Sequence, residues 1–181
     1  MKKIFSLWLV LFCVVSFAAC SPAETPEQRV ERVLTQVFTC PDEGTQAYAD
    51  VVRESLSSMD QAETQGKLLR AEETLGKYVR EKYDAEDFTD SLYENLYTHL
   101  YTNLVFPTVC AMSDITVKPE RISVEPESEA GRAYAYTAEL AVEKDGEMIS
   151  VLQEGKVQVD ENGRISSFDL TGSALYDVVM G

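Results

Sequence analysis

The fold is decided by residues 131–160, which read GRAYAYTAELAVEKDGEMISVLQEGKVQVD. One side of the first half carries larger, mostly apolar residues, namely Tyr134, Tyr136, Ala138, Leu140 and Val142. Small or polar residues alternate with them, and this period of two is typical of a strand with one buried face. Asp145-Gly146 then supplies the residue pair that two-residue hairpin turns favour. The stretch predicts an antiparallel hairpin.

The flanking segments extend this hairpin into a four-stranded meander over residues 113–171. Residues 114–127 alternate in the same way but contain Pro119 and Pro126, which suits an edge strand or a bent one. On the other side, Asn162-Gly163 predicts a second tight turn before a last strand that starts near residue 165. We expect four antiparallel strands in hairpin order.

Residues 27–106 instead have the period of helices. Thr25 is positioned as an N-cap and Pro26 as the first helical residue of the first segment. Gly66 and Gly76 weaken the continuity of the third segment. Residues 84–106 form the strongest segment, which we expect Pro107 to end. Helices followed by antiparallel strands indicate an α+β domain with its helices on one face of the sheet.

The N-terminus predicts an anchor rather than a part of the fold. A basic start and an apolar run are typical of a signal peptide over residues 1–19. They end at Phe17-Ala18-Ala19-Cys20, which resembles a bacterial lipobox, and the resemblance implies lipidation of Cys20. The alternative is an ordinary secretory signal cut near Ala19. We expect a lipidated tether at residues 20–26, a single domain at 27–181, and a location in the cell envelope on the extracytoplasmic face of a membrane.

Composition limits the partners. The chain has 31 acidic and 16 basic residues, a formal net charge of −15. Such a surface repels nucleic acid, so we expect no nucleic-acid partner. The acids are dispersed, which is typical of general solubility.

Two cysteines remain in the domain, Cys40 and Cys110. An even pair in an extracytoplasmic chain indicates a disulfide, and the alternative is two core thiols. A bridge would close a loop of about 70 residues, worth roughly 4 kcal/mol in the chain-entropy treatment.

Three tyrosines recur at four-residue spacing in SLYENLYTHLYTNLVFP, residues 91–107. On a helical wheel Tyr93, Tyr97 and Tyr101 lie along one edge of an apolar half, where each ring would pack while its hydroxyl reaches a partner. His99, the sole histidine of the sequence, falls on the polar side. We therefore interpret His99 as a surface or boundary residue rather than a catalytic base.

The element order, with the run LGKYVREKYDAEDF…LYTNLVFP ahead of the strands, resembles the NTF2-like members of the cystatin-like fold. The resemblance covers about residues 27–172 and is to bacterial lipoproteins that carry such a domain. It implies a curved sheet wrapped against helices, often with a pocket between them and sometimes with homodimerisation through the sheet. No catalytic residue, metal site or cofactor is implied for this chain.

Three functions are consistent with these features. The first is a noncatalytic module that binds a small molecule or an envelope protein, with a pocket lined by Tyr93, Tyr97, Tyr101, Tyr134 and Tyr136. The second is a small acid–base enzyme of the isomerase or dehydratase kind that uses Glu139, Asp169 and tyrosine hydroxyls. The third is a structural protein that docks through the sheet, whose third strand carries a polar face of Glu154, Lys156 and Gln158. We favour the first.

Replacing the lipobox cysteine tests the anchor. We expect Cys20→Ala to move the protein from the membrane pellet to the soluble fraction, because the thioether that holds the acyl chains cannot form. Cell fractionation followed by immunoblotting measures this. Unchanged membrane association of the variant would contradict the lipoprotein prediction.

Overall fold

The computed structural model describes residues 24–56, 61–103, 106–128, 131–171 and 174–181. The predicted signal peptide and Cys20 therefore lie outside the described residues. The helices are α1 (Pro26–Phe38), α2 (Glu43–Leu56), α3 (Gln61–Lys82), α4 (Asp90–Glu94), α5 (Phe106–Met112) and α6 (Ala174–Met180). The strands are β1 (Thr116–Pro126), β2 (Ala133–Lys144), β3 (Glu147–Val159) and β4 (Ile165–Thr171).

The four strands form one antiparallel sheet in the order β1-β2-β3-β4. The α+β prediction is confirmed, since the helices pack on this sheet and the sheet does not close into a barrel. Asp145 and Gly146 have φ angles of 54° and 79°, as the β2–β3 hairpin turn requires. In the β3–β4 turn it is Gly163, with φ 73°, that takes the left-handed conformation.

The sheet buries one face. The residues of β2 that the alternation assigns to the inside are all buried, namely Tyr134, Tyr136, Ala138, Leu140 and Val142. Helix α1 covers this face from the β1 side with Val30, Val33, Leu34, Val37 and Phe38, all buried. Its start is fixed as predicted, because the Thr25 hydroxyl accepts a hydrogen bond from the Gln28 amide at 3.3 Å in a capping box.

The prediction of one long helix over residues 84–106 is wrong in detail. The segment contains a 3-10 turn at Ala85–Asp87, the short helix α4, and a π-helical turn at Thr98–Asn103. Phe88 forms a parallel bridge with Ile165, and the Thr89 amide donates to the Ile165 carbonyl at 2.9 Å. The chain is extended here because its backbone pairs with the start of β4.

One helix boundary also differs from the prediction. Pro107 does not end a helix but lies in the first turn of α5, where a missing amide hydrogen costs nothing. Helix α3 runs through Gly66 and Gly76 without a break.

Helix α6 is absent from the sequence prediction and is held at both ends by β2 and β3. The buried Gln153 side chain accepts a hydrogen bond from the Leu175 amide at 3.2 Å. At the other end, Lys144 Nζ donates to the Val178 carbonyl at 2.9 Å. These two contacts satisfy backbone groups that a helix cannot satisfy internally.

A buried carboxylate ties the N-terminal helix to the rest of the domain. Asp87 is 3% exposed and receives two hydrogen bonds from Arg32, at 2.8 and 2.7 Å. Arg29 lies 3.5 Å from the same carboxylate and donates to the Gly163 carbonyl at 2.9 Å. This ion pair joins α1, the 3-10 turn and the β3–β4 turn.

Neutralising this carboxylate should destabilise the domain. We expect Asp87→Asn to lower the free energy of unfolding by about 2 kcal/mol, because the buried charge-assisted hydrogen bonds from Arg32 weaken and the arginines keep only Glu24 as a counter-charge. Urea unfolding followed by circular dichroism measures the loss. Asp90→Asn is the control, since Asp90 pairs with Arg164 at an exposed site where ion pairs contribute little. Equal effects of the two variants would contradict the assigned role of Asp87.

Candidate functional site

Tyr93 and Tyr97 lie on one wall of a surface groove of about 310 Å³. Helix α3 forms the opposite wall. The groove is lined by Glu72, Glu73, Gly76, Arg80, Tyr93, Glu94, Tyr97 and Thr98. Three carboxylates face one guanidinium, so the groove carries a net negative charge.

Tyr93 is held in place from two sides. Its hydroxyl donates a hydrogen bond to the Arg80 carbonyl at 2.9 Å, so its donor is directed to α3. Its ring stacks on Phe88, with centroids 6.3 Å apart and planes 29° apart. Because Phe88 is buried, this ring is a fixed wall of the groove.

Tyr97 packs over a glycine of α3. A Cβ atom placed on Gly76 would lie 4.0 Å from two ring carbons of Tyr97, at ordinary contact distance. Partial burial raises the pKa of the Tyr97 hydroxyl, and the nearby Glu72 carboxylate raises it further. The hydroxyl therefore stays protonated at neutral pH and can act as a hydrogen-bond donor.

A second groove, of about 350 Å³, lies between α2 and α3, and the sequence analysis did not identify it. It is lined by Ala47, Tyr48, Val51, Glu54, Lys67, Arg70, Ala71 and Thr74. Burial and then the charge of Glu72 raise the pKa of Tyr48, as they do for Tyr97. The charge of Glu72 thus acts on a tyrosine of each groove. In the sequence, the helical spacing of Tyr48 and Val51 on α2 was the pattern that could have indicated this groove.

The two strand tyrosines lie elsewhere, in the core. Tyr136 packs across Gly155, where a Cβ would approach its ring and hydroxyl to within 2.4 Å. Its hydroxyl donates to the Asp169 carbonyl at 3.0 Å, and burial raises its pKa strongly. Tyr134 is 2% exposed. The structure therefore brings Tyr93 and Tyr97 together but not with Tyr134 or Tyr136, and the side chain of Tyr101 lies outside the described residues.

His99 lies against the sheet rather than on the polar side that the helical wheel assigns to it. Its Nε2 donates to the Phe168 carbonyl at 2.9 Å, and its ring packs edge-on against Phe168 with centroids 4.5 Å apart. The wheel assumes 100° per residue, whereas residues 98–103 form a π-helical turn with more residues per turn. His99 anchors this segment to β4.

The remaining candidate acids face outward. Glu139 on β2 and Asp169 on β4 are both exposed. Glu154, Lys156 and Gln158 of β3 are exposed on the same outer face, as the alternation predicts. Two large apolar side chains, Met148 and Leu152, are also exposed there, by 67% and 55%.

Within residues 24–181, apart from the gaps given above, no three His, Cys, Asp or Glu side chains are grouped as metal ligands. Among the helices of that same part of the chain, none combines the length and apolar character that crossing a bilayer requires.

The core position of Tyr136 leads to a prediction. We expect Tyr136→Phe to lower the free energy of unfolding by about 1 kcal/mol, because the Asp169 carbonyl loses its donor. Thermal unfolding compared with wild type measures this. Tyr48→Phe, a change at a half-buried tyrosine on α2, is the comparison. An unchanged stability of Tyr136→Phe would contradict the structural role of the hydroxyl.

Comparison with known proteins adds no family. Scans against protein-family models and against curated proteins both give no match. Among solved structures, the chain is similar to a de novo designed β-sheet protein determined by solution NMR. The two share 15% identity at a TM-score of 0.33, over 75% of this chain and 88% of the design. A likeness at this TM-score supports no conclusion about this protein's fold or function.

Proposed function

We propose that this protein is a lipid-anchored, extracytoplasmic lipoprotein whose NTF2-like domain is a noncatalytic binding module. The observation that carries the binding role is the groove between α3 and the residues 93–98, which we name the tyrosine groove. Its volume of about 310 Å³ lies at the lower end of the range for small-molecule sites.

The arrangement of the two tyrosines favours binding over catalysis. The Tyr93 hydroxyl is engaged by the Arg80 carbonyl, and its ring is fixed by Phe88. The Tyr97 hydroxyl has a raised pKa and is protonated at neutral pH, so it is a poor general base. Both residues offer aromatic surface to a ligand rather than a proton-accepting group.

Charge indicates the class of ligand. Glu72, Glu73 and Glu94 outnumber Arg80, and tyrosine faces attract cations through their ring quadrupole. A compact organic cation, such as a primary or quaternary ammonium group, would satisfy both features. An anion would meet repulsion from the carboxylates.

The anchor gives this groove its location. Lipidation of Cys20 and a short tether would hold the domain at the outer surface of a membrane, where small cations are accessible. The full sequence has a formal net charge of −15, and such an acidic surface raises the local concentration of cations.

Two glycines of α3 allow a controlled test. Gly76→Leu should fill the tyrosine groove, because its side chain starts in contact with Tyr97. Gly66→Leu makes the same helix-favouring change on the same helix, at a position where a Cβ meets nothing within 4 Å. We expect the full chain, purified in mild detergent, to bind choline, and Gly76→Leu but not Gly66→Leu to lose this binding.

Isothermal titration with choline and its uncharged analogue, in which tert-butyl replaces trimethylammonium, measures the contribution of charge. We expect choline to bind about tenfold more tightly, from the cation–π and carboxylate contributions. Native mass spectrometry of gently purified protein would also reveal a co-purified ligand. Equal binding of both probes, or equal loss in the two glycine variants, would contradict the proposed site.

A further inference from the structure

Cys40 and Cys110 are far apart in sequence but meet in the core. Cys40 is 3% exposed and Cys110 is fully buried. Cys110 lies close enough to raise the pKa of the Cys40 thiol, and the two cysteines are unbridged in this structure. Each thiol is therefore the other's neighbour in an environment closed to solvent.

The backbone around both cysteines is held independently of that contact. Cys40 exchanges two backbone hydrogen bonds with Val117 of β1, at 3.1 and 2.7 Å. The carbonyl of Cys110 accepts the Ile115 amide at 2.9 Å, just before the same strand. The two segments thus meet at the start of β1.

Aromatic packing also holds the two cysteine-bearing segments close together. Phe38, two residues before Cys40, stacks on Phe106, four residues before Cys110, with centroids 6.0 Å apart and planes 21° apart. Both rings are fully buried. The end of α1 and the start of α5 are therefore fixed against each other on both sides of the cysteine pair.

We propose that Cys40 and Cys110 form an intramolecular disulfide that joins the end of α1 to α5. The two thiols together lose two protons and two electrons as the S–S bond forms. The acceptor is a disulfide-bearing thiol oxidoreductase of the extracytoplasmic space. One cysteine thiolate attacks its disulfide to give a mixed disulfide, and the second cysteine then displaces the oxidoreductase as a dithiol.

The surroundings determine when this exchange takes place. The neighbouring Cys110 thiol and then burial raise the pKa of the Cys40 thiol, so the folded domain disfavours the reactive thiolate. An oxidoreductase also cannot reach a pair that is almost fully buried. The bond therefore forms while the chain folds after export, and the packed core then shields it from reductants.

Thiol labelling tests this proposal on the full exported chain. The protein is denatured without reductant in the presence of N-ethylmaleimide, digested and mapped by mass spectrometry. We expect no label on Cys40 or Cys110 and one linked peptide pair, lighter by the mass of two hydrogen atoms than the two separate peptides. Reduction before labelling should place one label on each cysteine. Mapping by peptide keeps Cys13 and Cys20 out of this measurement.

Variants separate the bond from the packing of the cysteines. Cys40→Ser should leave Cys110 open to label, and Cys110→Ser should leave Cys40 open. The double variant Cys40→Ala with Cys110→Ala should unfold at the same temperature with and without reductant, whereas wild type should unfold several degrees lower after reduction. Free labelling of both cysteines in exported wild type, or their linkage to other molecules, would overturn the proposal.

Discussion

The structure depends on the burial of one face of a four-stranded sheet. Every second residue of β2 is apolar or aromatic and buried, while the residues between them face outward. A sheet with this pattern is stable only when another layer covers its apolar face, because exposed apolar surface is unfavourable in water. Helices α1, α5 and α6 provide this cover. The remaining features of the domain are consequences of how these helices are attached.

The side chains that fill the space between the sheet and the helices determine where a ligand could bind. Tyr134 and Tyr136 occupy the space between the sheet and the helices, and Gly155 allows the Tyr136 ring to lie flat against β3. Accessible aromatic surface lies between helices instead, where Tyr93 and Tyr97 meet α3 and where Tyr48 lines the groove between α2 and α3. A binding role for this domain therefore concerns a groove between helices rather than a pocket inside the sheet.

Local patterns predicted the elements whose causes are local. The alternation of β2, the Asp145-Gly146 turn and the Thr25 cap all act through neighbouring residues, and they were read correctly from the sequence. The interruption of the predicted helix at Phe88 could not be predicted in this way, because its cause is pairing with Ile165, which lies far away in sequence. The same limit explains the wrong placement of His99, because its position depends on a π-helical turn. It also explains why Tyr134 and Tyr136 were expected in a pocket, since alternation shows the buried side of a strand but not how fully that side is packed. The contact between Cys40 and Cys110 also required the fold, since their spacing alone left two alternatives.

The two edges of the sheet have a consequence for association between copies of the protein. Strand β1 carries Pro119 beside a bulge and ends at Pro126, and its outer positions include Lys118 and Glu120. At the opposite edge, the start of β4 is already paired with the backbone at Phe88 and Thr89. Within the described residues, these features interrupt the row of free amides and carbonyls at each edge, and a long, regular row of such groups is the usual template for aggregation. Crowding of many copies should therefore not lead to strand-to-strand polymerisation.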